Sequence, residues 1–398
     1  MAATYSQTTG NLIKTCMGVG ILALPYTAIL AGFVPSFLLI VIIALWVYYC
    51  MHLLIQTNEA CTSVLIPTNE DPYKIVSRKG LGSFGVFLLN FSFIVTLIGV
   101  GAAYQITFNN MLANLPWIIW KFPLGKFTWF WTLIFGVLIL PLVLLRSMGS
   151  ISFASQAGNY ILILVMIIVI VYGAIHNKPS FALRMLWPQD IMGIANMFGV
   201  ICFSMGVAFV GLSSRSSMEN PGRFKSALIV SLIVPSVIYI VFAFAGVIFY
   251  NEKGIRDIIL ANIPSDTLYY QISAIGLSLV CFLSYPIAVY PALIACEAWI
   301  KEEETKVVVT NWKRILQRIL IVVVTCLLAY FIPNFNMVVS FIGCFTISIV
   351  SFILPPLLHM RILPNAYKGS WYVDLLFVVL GVGVMVLATF TTVLSQFK

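Results

Sequence analysis

The sequence contains very little charge. Of its 398 residues only 9% are Asp, Glu, Lys or Arg, whereas a soluble protein carries about 25%. Apolar residues make up 61% of the chain. A membrane-spanning helix needs roughly 20 of them in succession, so they suffice for about ten or eleven spans. The composition therefore excludes a set of soluble domains and predicts a polytopic membrane protein. The net charge of +9 then indicates basic loops rather than nucleic-acid binding.

Residues for catalysis and metal binding are also scarce. The only three histidines, His52, His176 and His359, are too scattered for a metal cluster. No phosphate-binding loop, nucleophile elbow or carboxylate-pair motif occurs. The eight cysteines include no pair within one outward loop, so neither a disulfide nor a zinc site is expected. We therefore predict a protein that is not an enzyme and that binds no metal or organic cofactor.

Eleven apolar runs mark the predicted transmembrane helices. They lie near residues 10–31, 33–56, 84–112, 128–145, 149–175, 190–213, 226–250, 268–300, 314–332, 335–359 and 371–394. With the N-terminus in the cytoplasm, the inward loops hold 14 Lys and Arg residues and the outward side holds 7. Cytoplasmic loops are enriched in basic residues. We therefore predict an odd number of spans and a cytoplasmic N-terminus.

Two of the runs contain a weak point in the helix. Residues 18–25 of span 1 read GVGILALP, where two glycines and a proline weaken the helical ladder. Residues 202–207 of span 6 read CFSMGV. Small residues also occur simply because they allow close helix packing. Here, however, the weak points fall in the first and sixth of eleven spans, which are corresponding places in two five-span halves. Such paired interruptions are typical of inverted-repeat transporters.

The predicted fold is therefore all-α, with a single transmembrane domain over residues 1–398. Two inverted repeats of five helices cover about 10–175 and about 190–359, and an extra helix covers about 371–394. Spans 3 and 8, which are equivalent in the two repeats, are the longest apolar runs. Long runs of this kind are expected of strongly tilted helices.

Unwound backbone at membrane depth is tolerated only where it lines a cavity. Freed amides can hold a carboxylate, and freed carbonyls can hold an ammonium group or a cation. An amino acid carries both groups, so a site without charged side chains can still bind it. The predicted carboxylate-binding amides lie near Gly18, Val19, Gly20 and Ile21. The predicted ammonium-binding carbonyls lie near Cys202, Phe203 and Ser204. Phe203 and Phe209 either close over the substrate side chain or only pack.

Four side chains are candidates for a gate. Lys14, about one turn before the first break, either snorkels to the interface or pairs with a cytoplasmic acid such as Glu219 or Glu297. Glu219 is either a solvated loop charge or part of an inner gate. Tyr285, which precedes a proline, is either a gating residue or the mark of a tolerated kink.

The coupling ion stays open between sodium and a proton. Ser278 and Ser284 of span 8 either bond back to their own helix or complete a sodium site with the carbonyls of Gly18 and Ile21. No Asp or Glu lies near the centre of a span, and proton-coupled carriers usually need a titratable group at depth. This favours sodium coupling or exchange without excluding a proton route.

One outward segment carries its own pattern. After span 7, Ile255, Ile258, Ile259 and Leu260 stand among charges and are followed by Pro264. This spacing predicts a short amphipathic helix on the membrane surface.

The sequence resembles the amino acid/auxin permease family over nearly its whole length. Residues 11–26 (NLIKTCMGVGILALPY) are similar to its N-L-x-K…G-x-G-I-L-x-L-P-Y signature, and residues 218–224 (MENPGRF) resemble its M-x-N-P-x-x-F segment. Residues 285–292 (YPIAVYPA) resemble the paired-proline stretch of its eighth helix. Residues 340–343 (SFIG) and 352–355 (FILP) resemble segments of the tenth helix of the family.

This resemblance implies eleven helices in a LeuT-like fold and transport of amino acids by alternating access, often coupled to sodium or protons. It also implies that the outward segment after span 7 acts as a lid. The chain departs from the family pattern at Leu293, where many members carry a basic residue, and at Ser217, where an acid is common. The outward disulfide of some sodium-coupled members also has no counterpart. These departures leave the coupling ion open.

We therefore predict a monomeric secondary active transporter for small neutral or cationic amino acids. Its predicted partners are the amino acid and the lipid bilayer, and its predicted location is the plasma membrane or a vacuolar or lysosomal membrane. One alternative is a transporter-like amino-acid sensor that signals to a protein partner, although only short loops near 58–83 and 301–313 are available for one. Another is an ion channel, for which no re-entrant filter sequence is found.

Overall fold

The computed structural model describes the backbone of residues 3–62, 71–116, 123–144, 149–251, 254–300, 311–364 and 370–394. These residues are largely helical and contain no β-sheet, only an isolated bridge between Ala3 and Met218. The prediction of an all-α protein is confirmed.

The helices follow the predicted apolar runs. The predicted first repeat corresponds to α1 (Tyr5–Cys16), a 3-10 turn (Val19–Ala23), α2 (Leu24–Ala31), α3 (Phe33–Thr62), α4 (Pro72–Ala113), α5 (Thr128–Leu144) and α6 (Gly149–His176). The predicted second repeat corresponds to α7 (Ile191–Ser204), α8 (Ala208–Ser216), α9 (Phe224–Tyr250), α10 (Leu268–Ile300), α11 (Asn311–Phe331), α12 (Phe335–Ile342), two π turns (Gly343–Ile347 and Ile349–Ile353) and α13 (Leu354–Ile362). The extra helix is α14 (Ser370–Leu394).

The number of spans agrees closely with the predicted eleven. Within the described ranges, nine helical segments are long and apolar enough to cross a membrane. A tenth span is formed by α1 and the helix Val19–Ala31, which are bent by 43° at the predicted break. The one remaining apolar run, the fourth in sequence, forms helix α5. This helix has only 17 residues, whereas a straight span needs about 20.

Helix α4 begins twelve residues before the predicted start of span 3 at residue 84. Gly82 has φ 61° and ψ −145°, which kinks the helix and separates residues 72–81 from the apolar part. Glycine adopts positive φ without a steric penalty. The two longest helices, α4 with 42 residues and α10 with 33 residues, are those predicted for spans 3 and 8.

The chain forms two compact units. The first contains Met1–Phe93, Leu183–Val241 and Ser340–Lys398, and the second contains Ile94–Ala182 and Phe242–Val339. Each unit takes helices from both predicted repeats. Spans 1, 2 and 6 and most of span 7 lie in the first unit, so these two equivalent pairs are grouped together, whereas span 5 and most of its equivalent, span 10, belong to different units. The inverted repeat itself stays a prediction.

Small residues bring the helices of the first unit into backbone contact. A Cβ atom on Gly193 of α7 would lie 2.6 Å from a backbone atom of Leu30 in α2. A Cβ on Gly343, in the first π turn, would lie 1.8 Å from the Gly199 carbonyl oxygen and 3.0 Å from the Phe203 amide nitrogen. Close approach through small residues is the common mode of helix packing in membranes. The contact of Gly343 holds the first π turn beside the break in span 6, and the contact of Gly193 holds α2 against the beginning of α7.

The second unit is held by buried polar contacts. Tyr250 donates a hydrogen bond to the Val169 carbonyl at 2.7 Å. Arg318, near the beginning of predicted span 9, is buried and donates to the Val143 carbonyl at 2.7 Å. Val143 lies in the last turn of α5, where carbonyls have no helical partner and a cation is favourable. Arg318 therefore caps α5.

The predicted surface helix after span 7 is wrong. The segment contains only a 3-10 turn over Ile259–Asn262, and Ile258, Ile259 and Leu260 are buried in the second unit. Asn262 accepts a hydrogen bond from the Arg256 amide at 2.9 Å, which holds the turn in place. Ile255 is half-buried, but the other three predicted apolar side chains are buried and so do not form a lipid-facing surface. Burial of Asp257 in this loop raises the pKa of its carboxyl group.

Candidate functional site

The predicted break in span 1 lies between α1 and the 3-10 turn. Gly18 stands between them in extended conformation, and the helix begins again at Val19. The amide of Gly18 donates to the Cys16 carbonyl at 3.2 Å, and that of Ile21 donates to the Gly18 carbonyl at 3.2 Å. The first amides of a helix have no acceptor inside it. Of the four predicted carboxylate-binding residues, Val19 and Gly20 therefore provide the free amides, which have no acceptor in the part of the chain that the structure describes.

The break in span 6 lies between α7 and α8, over residues 205–207. The Cys202 carbonyl accepts a hydrogen bond from the Met205 amide at 3.2 Å. The Ser204 carbonyl lies 3.1 Å from the Tyr239 hydroxyl. The Phe203 carbonyl accepts no hydrogen bond from any residue that the structure describes. Of the three predicted ammonium-binding carbonyls, that of Phe203 is the free one.

The two breaks lie against each other in the first unit. A Cβ atom on Gly20 would lie 2.7 Å from Cδ1 of the Phe203 ring and 3.1 Å from Oγ of Ser204. The amino end of the helix Val19–Ala31 is therefore next to the carboxyl end of α7. Aligned peptide dipoles make the first end partly positive and the second partly negative. Gly18 borders open space instead, because no described atom lies within 4 Å of its Cβ position.

Tyr239 of α9 joins the two breaks and was missed by the sequence reasoning. Its side chain is fully buried, and its hydroxyl donates to the Cys16 carbonyl and lies 3.1 Å from the Ser204 carbonyl. Cys16 ends α1 and Ser204 ends α7, so one hydroxyl serves carbonyls at two helix ends that have no helical partner. The chain contains 17 tyrosines and no local pattern distinguishes this one, so only the fold identifies it.

The two predicted aromatic residues are both half-buried. Phe203 lies against Gly20, as described above, and the Phe209 ring lies 5.2 Å from that of Phe93. Phe203 is therefore placed beside the free amides, whereas Phe209 packs on another aromatic ring. Their role in closing over a substrate stays a prediction.

The predicted gate between Lys14 and Glu219 is not formed in this structure. Lys14 is half-buried and Glu219 is exposed, and neither takes part in an ion pair with a described residue. Instead, the Glu219 amide donates to the Ala3 carbonyl at 3.0 Å, and the Ala3 amide donates to the Ser217 carbonyl at 2.8 Å. Backbone hydrogen bonds thus tie the start of span 1 to the end of span 6. The side chain of Glu297 lies outside the described residues.

Tyr285, the other gating candidate, is fully buried in the second unit. Its hydroxyl lies 2.6 Å from Oγ1 of Thr325, and its ring packs edge-on against that of Phe135. These contacts are typical of a packing residue.

The two serines predicted to bind sodium also belong to the second unit, whereas Gly18 and Ile21 belong to the first. Ser278 is buried, and its hydroxyl makes no hydrogen bond with a described residue, so the predicted alternative of a bond to its own helix is not observed. Ser284 is half-buried, and its Oγ lies 3.7 Å from the Cβ position of Gly158. The sodium site stays a prediction. Over the described chain, no group of three or more His, Cys, Asp or Glu residues could hold a metal ion.

Comparisons with known proteins show the family and the fold that the chain resembles. Residues 1–394 match the family model described as "Transmembrane amino acid transporter protein". The chain is 26% identical over 404 residues to "Amino acid transporter ANT1" of Arabidopsis thaliana, covering 98% of this chain and 92% of that protein. It is 24% identical over 422 residues to "Vacuolar amino acid transporter 4" of Saccharomyces cerevisiae, covering 96% of this chain but only 57% of that protein.

Among solved structures, the fold is similar to the "Inward facing conformation of Mhp1". The TM-score is 0.58 at 14% identity, over 99% of this chain and 91% of that one. At this identity the similarity shows the fold alone.

Proposed function

Because the chain belongs to the transmembrane amino acid transporter family, the amino acid/auxin permeases, we propose a substrate class and a binding mode for it. The protein is a secondary transporter of amino acids that works by alternating access in a LeuT-like fold, and it is not an enzyme. We propose that its substrates are small neutral or cationic amino acids, held mainly by the backbone at the two helix breaks.

The observation that carries this proposal is the contact between Gly20 and Phe203. It brings Gly20, whose amide is free, against the Phe203 ring and the Ser204 hydroxyl at the end of α7, and so supports a site that uses the Val19 and Gly20 amides together with the Phe203 carbonyl. The carboxylate of an amino acid would lie at the partly positive helix end and its ammonium group at the partly negative one. Residues 16–21 and 202–207 contain no basic side chain. A substrate with a second carboxylate therefore has no counter-charge there, which disfavours acidic amino acids.

The binding mode can be tested by counterflow in proteoliposomes, with a labelled neutral amino acid as tracer. Three unlabelled competitors are compared: the amino acid, its carboxamide and its N-acetyl derivative. The carboxamide has lost the negative charge and the N-acetyl derivative has lost the positive one. Each derivative is expected to compete with an apparent affinity at least about tenfold lower than that of the amino acid, which corresponds to a loss of about 1.4 kcal/mol in binding free energy. Equal competition by both derivatives would contradict recognition by the helix ends, and binding without counterflow would indicate the sensor alternative.

We also propose that the N-terminus lies in the cytoplasm and that the protein resides in a vacuole-type or plasma membrane. The excess of basic residues in one set of loops supports the orientation, and the vacuolar relative supports the first location. A fluorescent fusion would show the membrane, and protease accessibility of an N-terminal tag would show the orientation. The coupling ion is tested by measuring uptake with sodium replaced and with the external pH varied.

A further inference from the structure

The first unit contains a buried acid–base pair that the binding site does not use. His359 of α13 and Asp374 of α14 are both fully buried, and Nδ1 of His359 lies 2.6 Å from Oδ2 of Asp374. Their other polar atoms, Nε2 of His359 and Oδ1 of Asp374, are also buried and have no hydrogen-bond partner among the described residues. In sequence both residues lie near span ends, where water would solvate them. The fold removes them from water.

The proton content of the pair determines its net charge. With one proton in the bond between them, a neutral histidine and a carboxylate carry a net charge of −1. A second proton, on Nε2 of His359, makes the pair neutral overall. Burial of an uncompensated charge is far more costly than burial of a neutral pair. The second proton therefore decides whether the buried pair is neutral or carries a net charge.

Other titratable groups lie around the pair, chiefly on α3. Helix α3 packs against α13, which carries His359. It also contacts α14, which carries Asp374, through the rings of Tyr49 and Phe377, 4.5 Å apart. Cys50 is an electrostatic neighbour of Asp374, and His52 is one of His359. Further described charged groups on neighbouring elements include Glu59 of α3, Lys225 of α9, Arg361 of α13, and Lys74, Arg78 and Lys79 of α4, whose Gly80 contacts Leu358. The described π turns and α7 contain no acidic or basic residue.

The pair is connected to the substrate site by a continuous element. Helix α13 follows directly on the two π turns, and Gly343 at their start lies against the backbone of Gly199 and Phe203. A second connection runs through Glu59. This residue is an electrostatic neighbour of His52 and forms an ion pair with Arg215 of α8. Packing of α13 on α14 thus has a physical route to both halves of the broken span 6. The strength of that coupling is what an experiment must measure.

We propose that His359 and Asp374 form a proton-binding site that regulates transport, in which the protonated pair holds the end of span 10 against span 11. This proposal rests on the transport function argued above. A proton arriving at the loop side of α13 and α14 stabilises their contact, and its loss loosens the contact and changes the rate of the transport cycle. In the predicted topology this is the face that carries the N-terminus.

The decisive variant replaces both titratable groups by amides. His359→Gln together with Asp374→Asn removes the exchangeable proton but leaves two side chains that can hydrogen-bond to each other. The single variants leave one polar group buried without its partner and are expected to fold less well. Thermal unfolding of the purified full chain in detergent is measured across a pH series, without substrate. Wild type is expected to lose stability as the pH rises, and the double variant is expected to lose much of that dependence.

Counterflow of a labelled neutral amino acid in proteoliposomes gives the second measurement, with the pH changed on one side at a time. The wild-type rate is expected to change several-fold over two pH units on one face only, since a one-proton linkage shifts an equilibrium by up to about tenfold per unit. The double variant is expected to transport with a nearly flat profile. Matched controls are His176→Gln and the exposed Asp266→Asn, both outside the first unit, which should keep the wild-type profile.

The proposal is overturned if the double variant keeps the wild-type pH dependence of both stability and counterflow. It is also overturned if the wild type shows no pH dependence of stability. Absence of counterflow in the wild type is a different outcome, because it contradicts the proposed transport function. The unfolding series needs no substrate, so it distinguishes the two failures.

Discussion

Tyr239→Phe is the sharpest test of how the substrate site is held together. The substitution removes one hydroxyl and leaves the ring, so the packing around this buried side chain is preserved. The lost hydroxyl donates to the Cys16 carbonyl and lies 3.1 Å from the Ser204 carbonyl. Both carbonyls end helices at the breaks, and in the variant neither has this partner. The breaks are then free to rearrange, which would displace the free amides and the free carbonyl from each other.

The expected magnitude follows from the cost of an unsatisfied buried group, which is about 1–3 kcal/mol. If that cost falls on the substrate-bound form, the KM for uptake rises by about 5- to 150-fold. We expect an increase of about tenfold, because Cys16 keeps its second hydrogen bond, from the Gly18 amide.

Tyr250→Phe is the matched control. Tyr250 lies on the same helix, is equally buried, and donates to the Val169 carbonyl at 2.7 Å. Val169 lies inside the regular helix α6, remote in sequence from both breaks. Both variants are expected to lose similar thermal stability, but only Tyr239→Phe should raise the KM. Equal KM values for the two variants in proteoliposome uptake would refute the reasoning and reduce Tyr239 to a residue of general stability.

Three further predictions concern single positions. Gly20→Ala is expected to lower the transport rate at least about tenfold, because the new Cβ would lie 2.7 Å from a carbon of the Phe203 ring. The control Gly383→Ala in α14, whose Cβ would meet no atom within 4 Å, should transport normally. Equal transport rates of the two variants would contradict the close packing of the breaks. If uptake depends on sodium, Ser278→Ala should raise the sodium concentration for half-maximal uptake by about tenfold. The control Ser273→Ala, also at a buried serine of α10, should leave that concentration unchanged. Unchanged sodium dependence in both variants would exclude a role of Ser278 in cation binding. Burial raises the pKa of Asp257, so its contribution to stability is full at acid pH and is lost as the pH rises through the pKa of the folded state. Asp257→Asn should remove this pH dependence from the hydrogen exchange of residues 254–265. An unchanged pH profile of exchange in the variant would contradict the prediction.

Much of the fold could be predicted because the membrane imposes strict rules on the backbone. Every described helix of a predicted span lies on an apolar run, since a spanning segment must be apolar and must satisfy its own hydrogen bonds. The breaks at residues 17–18 and 205–207 were also visible, because glycine and proline weaken helices locally. The segment after span 7 was predicted wrongly. Its isoleucines look the same in sequence whether they face lipid or protein, and only packing decides between the two.

Individual side-chain roles were harder to predict, because they depend on partners distant in sequence. Tyr239 meets Cys16 across 223 residues, and nothing near it in the chain announces that contact. His359 and Asp374 are only 15 residues apart, yet their burial depends on α3, which lies some 300 residues earlier. Ser278 looked like a residue that bonds to its own helix, and the structure leaves its hydroxyl without a bond.

The sequence by itself determined that this protein lies in a membrane, where its helices run, and where two of them break. These properties follow from composition and local backbone chemistry, which each segment carries alone. Tertiary structure decided which residues of the two breaks touch, which tyrosine serves both breaks, and which two of the few charged residues are buried together. Those properties arise only when segments far apart in the chain are packed against each other and water is excluded between them.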